Sequence, residues 1–200
     1  KKGVLVNGRI VKTPDFKIDE FKDEVIVNEE KLIYQKYIYI MMNKPKDIIS
    51  ATEDNKTKTV VDILDEQERI FKPFPVGRLD KDTEGLMLLT NDGDLAHKLT
   101  SPKKDIVKKY YVEVFGTIED MYITYFKEGA ILDDGYKCKS AILDILTSNE
   151  TGSKAYIYIT EGKFHQVKRM MKSIGCEVTY LKRLSIGELV LDENLKLGEY

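Results

Sequence analysis

The stretch VGRLDKDTEGLMLLTNDGD, residues 76–94, sets Arg78 and Asp80 directly before an apolar run, Leu86–Leu89, that has to be buried. With Leu79 anchored in the core, Arg78 and Asp80 point the other way. A carboxylate at the edge of a core can act as a nucleophile or a base. Burial raises its pKa, so it stays ionised only beside a cation. A second stretch, GKFHQVKRMMKSIG, offers one. Read as a helix over 164–174 at about 100° per residue, it gathers Phe164, Val167, Met170, Met171 and Ile174 on one arc. Gln166, Arg169 and Ser173 fall opposite, and Lys168 lies on the border. A border lysine can snorkel to solvent, or be held half-buried by a carboxylate, for which Asp80 is the candidate. A hydrolase would need a second acid, and Asp82 and Glu84 are at hand for it.

Composition narrows the classes. The chain has 200 residues, 42% hydrophobic and 33% charged, enough for one good-sized domain or one domain plus a small one. No run is long and apolar enough to span a membrane and no signal peptide opens the chain, so the expected location is the cytoplasm. Cys138 and Cys176 lack metal-ligand spacing and read as buried free thiols. With only His97 and His165, a His-rich metal site is excluded. Net charge is −2, but the charge is segregated: 19–30 is acidic, while 98–109 and 163–172 are basic. Such a chain can present a basic face to phosphates.

Several elements can be read from patterning. Val4–Val6, Asn7-Gly8 and Arg9–Val11 form a β-hairpin with a primed turn, and Val25–Val27 a further strand. Residues 1–32 look like the later part of a small domain, with 29–36 as polar linker. Strands are expected over 37–42, 86–89, 110–115, 155–160, 178–184 and 188–191, with Tyr110, Val112 and Val114 sharing one face. Residues 59–64 suggest a short helix. The prolines of FKPFPV, residues 71–76, forbid helix and ladder pairing alike. Asp94 is expected to cap a short helix over 95–99, and Gly175 to close the helix of 164–174. Many strands and few helices, without βαβ alternation, indicate an α+β fold with a mostly antiparallel sheet flanked by helices.

Gly77-Arg78-Leu79-Asp80 resembles the G-R-L-D motif of pseudouridine synthases. Its continuation, Asp82-Thr83-Glu84-Gly85-Leu86 and Thr90-Asn91-Asp92-Gly93, resembles the branch that modifies bacterial ribosomal RNA. Met42-Asn43-Lys44-Pro45 is similar to that family's opening strand and turn, and Lys108-Lys109-Tyr110-Tyr111-Val112 to its K-x-Y-x-V motif. Gly162 to Met170 resembles its G-x-x-H-Q-V-K-R-M motif, and Leu181, Arg183, Ile186 and Gly187 its L-x-R-x-x-I-G. The likeness runs from about Tyr37 to the end. Residues 3–28 resemble the second half of a small RNA-binding domain shared with a small-subunit ribosomal protein, whose N-terminal helices do not occur in these residues.

The resemblance implies three segments: part of an RNA-binding domain at 1–32, a linker at 33–36 and a catalytic domain at 37–200. It implies isomerisation of a uridine flipped out of ribosomal RNA, in 16S rRNA on overall likeness and in 23S rRNA as the alternative. A non-catalytic rRNA-binding or assembly factor is a further alternative. Asp80 is the implied reactive carboxylate, attacking the ribose carbon or removing a ribose proton. Lys168 is its cation. Tyr110 lies under the uracil, although strand alternation alone reads it equally as a core tyrosine. Arg78 fills the gap left by the base or binds a phosphate; otherwise it pairs with Asp80 or Asp82. His165 packs locally rather than catalyses. The expected RNA contacts are Lys44, Arg78, Lys103, Lys104, Lys108, Gln166, Arg169 and Arg183. Neither cofactor nor metal is expected. The partner is ribosomal RNA or a small-subunit assembly intermediate, met by a monomer.

Overall fold

The computed structural model describes residues 3–32 and 35–200 and divides into two units, Lys1–Tyr37 and Ile38–Tyr200. In the first, strands β1 (Val4–Val6), β2 (Arg9–Val11), β3 (Val25–Val27) and β4 (Glu30–Leu32) form an antiparallel sheet in the order β2-β1-β3-β4. The β1–β2 turn is the expected primed one: Asn7 and Gly8 have φ of 49° and 75°, and Val6 faces Arg9. Strand β4 falls where a polar linker was expected. Its pairing with β3 satisfies the backbone whatever the side chains.

The second unit is the expected α+β fold. In chain order it comprises β5 (Tyr39–Lys44), α1 (Glu66–Arg69), β6 (Phe74–Pro75), β7 (Glu84–Thr90), α2 (Gly93–Thr100) and β8 (Lys108–Phe115). Then follow α3 (Met121–Glu128), β9 (Ile142–Asn149), β10 (Gly152–Ile159), α4 (Gln166–Lys172), β11 (Glu177–Ile186) and β12 (Leu189–Val190). The sheet runs β5-β7-β11-β8-β10-β9, with β6 paired to β7 and β12 to β11. Among the strands of the described residues, only β7 and β11 pair in parallel. Residues 59–64 hold a single 3-10 turn, Val61–Ile63.

Three local expectations are corrected. Phe74 and Pro75 do pair with Thr90 and Leu89; at a strand edge the missing Pro N–H costs nothing, and Val76 N–H bonds the Leu88 carbonyl at 2.7 Å. Helix α2 is capped by Asp92, which accepts from Leu95 N–H at 3.0 Å, rather than by Asp94. Helix α3 and strand β9 had no clear pattern in sequence. Helix α4 begins at Gln166, not Phe164, because His165 turns left-handed at φ 48° and ends the helical phase.

Every residue of β7 is buried, and Tyr110, Val112 and Val114 alternate inward on β8. Met87 and Leu89 of β7 and the three β8 residues join Met42, Phe126, Ile157, Met170 and Met171 in one core, where full burial of each large side chain contributes about 1.5–3 kcal/mol. Both cysteines are buried free thiols. No helix among the described residues is long and apolar enough to cross a membrane.

Candidate active site

The loop 76–83 leads from β6 into β7, and its geometry starts at Leu79. That side chain is buried while Arg78 is exposed and Asp80 half-buried, the alternation expected of an anchored loop. Ser50 clamps the anchor from both sides: its hydroxyl accepts from Leu79 N–H at 3.0 Å and donates to the Leu79 carbonyl at 2.9 Å. Thr83 N–H closes a turn onto the Asp80 carbonyl at 3.1 Å.

Beneath the turn lies Lys44, fully buried at the end of β5. Its ammonium donates to the carbonyls of Thr83 (2.9 Å), Pro45 (3.0 Å), Asp80 (3.1 Å) and Lys81 (3.3 Å). Burial brings its pKa down to about 8, against the opposing pull of the carboxylates Asp82, Asp80, Glu84 and Asp47. The lysine thus gathers the carbonyls of the turn, two of which also accept from the N–H groups of Thr83 and Asp47, and fixes the height of Asp80 above the sheet.

Helix α4 brings the cation. Lys168 Nζ lies 3.1 Å from Asp80 Oδ2 and 2.5 Å from Asp82 Oδ1. Burial opposes the ammonium, but hydrogen bonds to Asp82 and Asp80 outweigh it and hold its pKa above the usual lysine value. Burial likewise opposes the charge on Asp82, yet the bond from Lys168 keeps that carboxyl below its usual range. His165 Nε2 stands 3.6 Å from Asp80 Oδ1. A narrow cleft of about 70 Å³ is lined by Asp80, Arg78, Tyr110, His165, Leu181 and neighbours. A wider cavity of about 420 Å³ shares Arg78, Tyr110, Gly162 and Lys163 with it and adds Lys108 and Arg183. A carboxylate paired with an ammonium, in a cleft that an aromatic ring also lines and with cations on its rim, suits reaction on a planar base attached to a phosphate backbone.

The family model described as RNA pseudouridylate synthase matches residues 38–173. The chain belongs to this family. An RNA pseudouridine synthase of Bacillus subtilis is 48% identical over 98% of this chain and 82% of its own length. Ribosomal small subunit pseudouridine synthase A of Haemophilus influenzae is 37% identical over 98% of this chain and 83% of its own. A crystal structure of a pseudouridylate synthase superposes with a TM-score of 0.76 at 36% identity, covering 99% of this chain and 84% of that one. The protein is therefore an RNA pseudouridine synthase, an isomerase.

Of the residues expected to serve this synthase, Asp80 and Tyr110 line one cleft, and Lys168 reaches Asp80 at 3.1 Å. Arg78 is exposed on the same rim and makes no ion pair among the described residues, so the expected alternative, a surface bridge to Asp80 or Asp82, does not form. Lys103 and Lys104 are exposed on the 3-10 turn Pro102–Lys104. Lys108 is half-buried, and burial followed by the nearby Arg183 guanidinium lowers its pKa.

Three expected RNA contacts are corrected. Lys44 has no surface, because the turn carbonyls enclose its ammonium. Gln166, expected on the polar face of its helix, is buried: its amide donates to Glu161 at 2.7 Å and accepts from Lys163 N–H at 2.8 Å. The Arg169 guanidinium is taken up by Asp133 and Asp134, each at 2.6 Å. Arg183 is buried as well, with Nε donating to the Leu86 carbonyl at 2.9 Å. Its Nη2 has no hydrogen-bond partner among the described residues.

Sequence reading did not assign Ser50, Glu161 or the pairing of Asp82 with Lys168. Glu161 is buried and accepts from the Tyr136 hydroxyl and from Lys139 N–H, both at 2.8 Å, as well as from Gln166. It thereby sets the loop that presents His165. The spacing of Asp82 two residues after Asp80 was the available signal for a shared cation.

Proposed function

We propose that the protein converts one uridine of small-subunit (16S) ribosomal RNA to pseudouridine, with Asp80 as the reacting carboxylate and no cofactor. The observation that carries the reading is the 3.1 Å contact between Lys168 and Asp80 in a cleft walled by Tyr110. The bond from ribose carbon 1′ to uracil N1 breaks, the base turns, and carbon 1′ joins carbon 5. The carbon 5 proton is lost and N1 gains one. Asp80 either adds to the ribose or removes a ribose proton, with the Lys168 ammonium beside it for both routes. Tyr110 supports the flipped base and is placed to assist removal of the carbon 5 proton.

Arg78, Lys103, Lys104 and Lys108 take phosphates. Lys108 and Arg183 line one cavity, where burial first and the Arg183 charge second lower the Lys108 pKa, and an anion bound there would offset both. The four-stranded unit at residues 1–37 is assigned as an RNA-binding module, and the enzyme acts as a monomer on rRNA or a small-subunit assembly intermediate.

The names of relatives favour the small subunit: besides the Haemophilus protein, ribosomal small subunit pseudouridine synthase A of Escherichia coli is 34% identical over 98% of this chain. A second reading, the large subunit, is favoured by a putative ribosomal large subunit pseudouridine synthase of Arabidopsis thaliana, 32% identical over 98% of this chain but 51% of its own length. Mapping pseudouridines in both rRNAs from cells lacking the gene, complemented with wild type or Asp80→Asn, tests the proposal. A single 16S pseudouridine should vanish and return only with wild type. A missing 23S pseudouridine selects the second reading, and rescue by Asp80→Asn removes Asp80 from the chemistry.

A further inference from the structure

Phe164 is the most exposed aromatic ring of the synthase unit, 76% accessible, yet it stands one residue from a side chain touching the Asp80 carboxylate. Its ring lies on that of His165, with centroids 3.8 Å apart and planes 16° from parallel. The arrangement is built, not incidental. His165 holds a left-handed backbone at φ 48°, a conformation that costs a non-glycine residue on the order of 1 kcal/mol. The loop is held in that shape by the Gln166 bonds to Glu161 and to Lys163 N–H. One face of Phe164 is thus covered by His165, and the ring borders an open cleft of about 620 Å³ also lined by His165, Lys168, Arg169, Lys172, Asp133 and Asp134. His165 lines this cleft and the Asp80 cleft alike, so it is the wall between them.

We propose that Phe164, backed by His165, is a stacking platform for the nucleobase next to the uridine that reacts. The spacing of the two rings is close to that of stacked bases, so a base laid on the free face of Phe164 continues a stack of three. Extruding the target uridine costs the stacking of its neighbours. A ring pair one wall away from the target replaces part of what is lost, and does so without reading sequence, since every base has a π face. Lys172, exposed on the lining of the same cleft, is available to a phosphate, while Arg169 is held by Asp133 and Asp134 and Lys168 by Asp80 and Asp82. Phe164 belongs to none of the buried apolar clusters.

The proposal rests on the reading that uridine reacts at Asp80. It is tested with transcripts of small- and large-subunit rRNA made with uridine tritiated at carbon 5, whose release follows the reaction. Phe164→Leu should raise KM about 10-fold, the effect of one lost stacking contact, with kcat falling far less. Phe164→Tyr and Phe164→Trp should restore KM. Because Phe164 is exposed, the melting temperature of Phe164→Leu should match wild type. An unchanged KM for Phe164→Leu, or Tyr and Trp variants as poor as Leu, overturns the platform. Release from the large-subunit transcript alone overturns the 16S reading instead, and the platform is then judged on that transcript.

Discussion

Lys168 donates to two carboxylates at once, Asp80 at 3.1 Å and Asp82 at 2.5 Å. Asp80 is the more enclosed of the two, with side-chain exposures of 27% against 68%. The exposed partner can rehydrate when the ion pair is broken, whereas the enclosed one is left in a cleft without a counter-ion. Lys168→Met should therefore act mainly through Asp80. We expect kcat to fall by roughly 100-fold, the scale of losing one electrostatic partner at a reacting group, with little change in affinity for the transcript. Single-turnover tritium release checks it; a near-normal rate would show that the pair is not needed.

Asp82→Asn should be far milder. It removes the competitor for Lys168 but leaves Asp80 paired, so activity should stay within about 10-fold of wild type. Its effect should appear in acid. The folded pKa of Asp82 is lowered below its usual 3.8, so the unfolded chain binds the proton more readily. The stability Asp82 contributes is present above 3.8 and is lost as pH falls through its depressed folded value. Denaturant midpoints measured from pH 6 down to 3 should fall less steeply for Asp82→Asn than for wild type, by a modest amount given the exposure of the pair.

Lys44→Met should cost stability and activity together. The methionine fits the apolar stem but takes the ammonium from the carbonyls of Pro45 and Thr83, whereas those of Asp80 and Lys81 keep the N–H groups of Thr83 and Asp47. Buried acceptors left unpaired cost about 1–3 kcal/mol each, so a loss of roughly 3 kcal/mol in urea unfolding is expected. The loop bearing Asp80 loosens at the same time, and kcat should fall with KM nearly constant. A loss of RNA affinity with kcat intact would instead make Lys44 a phosphate contact.

Gly85→Ala tests the parallel seam between β7 and β11. Gly85 has φ 101°, and an added Cβ would overlap the Arg183 carbonyl across the seam. The strands must part, which moves both the Asp80 loop and Arg183. A loss of more than about 2 kcal/mol in stability is expected, with reduced tritium release at a temperature where the variant remains folded.

Much of the site was legible in sequence because local pattern states which way a side chain faces. Leu79 goes in and Arg78 and Asp80 go out; Tyr110, Val112 and Val114 share the inner face of β8. The ordered motifs sufficed for the family, since each spans only a few residues around one turn or helix. The helix arc misled at its start. Phe164 was assigned to the core and Gln166 to the surface, and the structure reverses both, because the left-handed turn at His165 is set by Glu161 and Gln166 and not by apolar spacing.

What the sequence by itself determined, then, is the type of chemistry and the α+β class. Only the tertiary structure decided the partners. Asp82 and Lys168 are 86 residues apart in the chain, and no periodicity specifies what lies across a cleft. A lysine that binds phosphate and a lysine that ties four carbonyls read alike as letters. Lys44 and Lys108 diverge because one ends on β5 beneath a turn whose backbone needs donors, and the other opens a strand at the edge of a cavity.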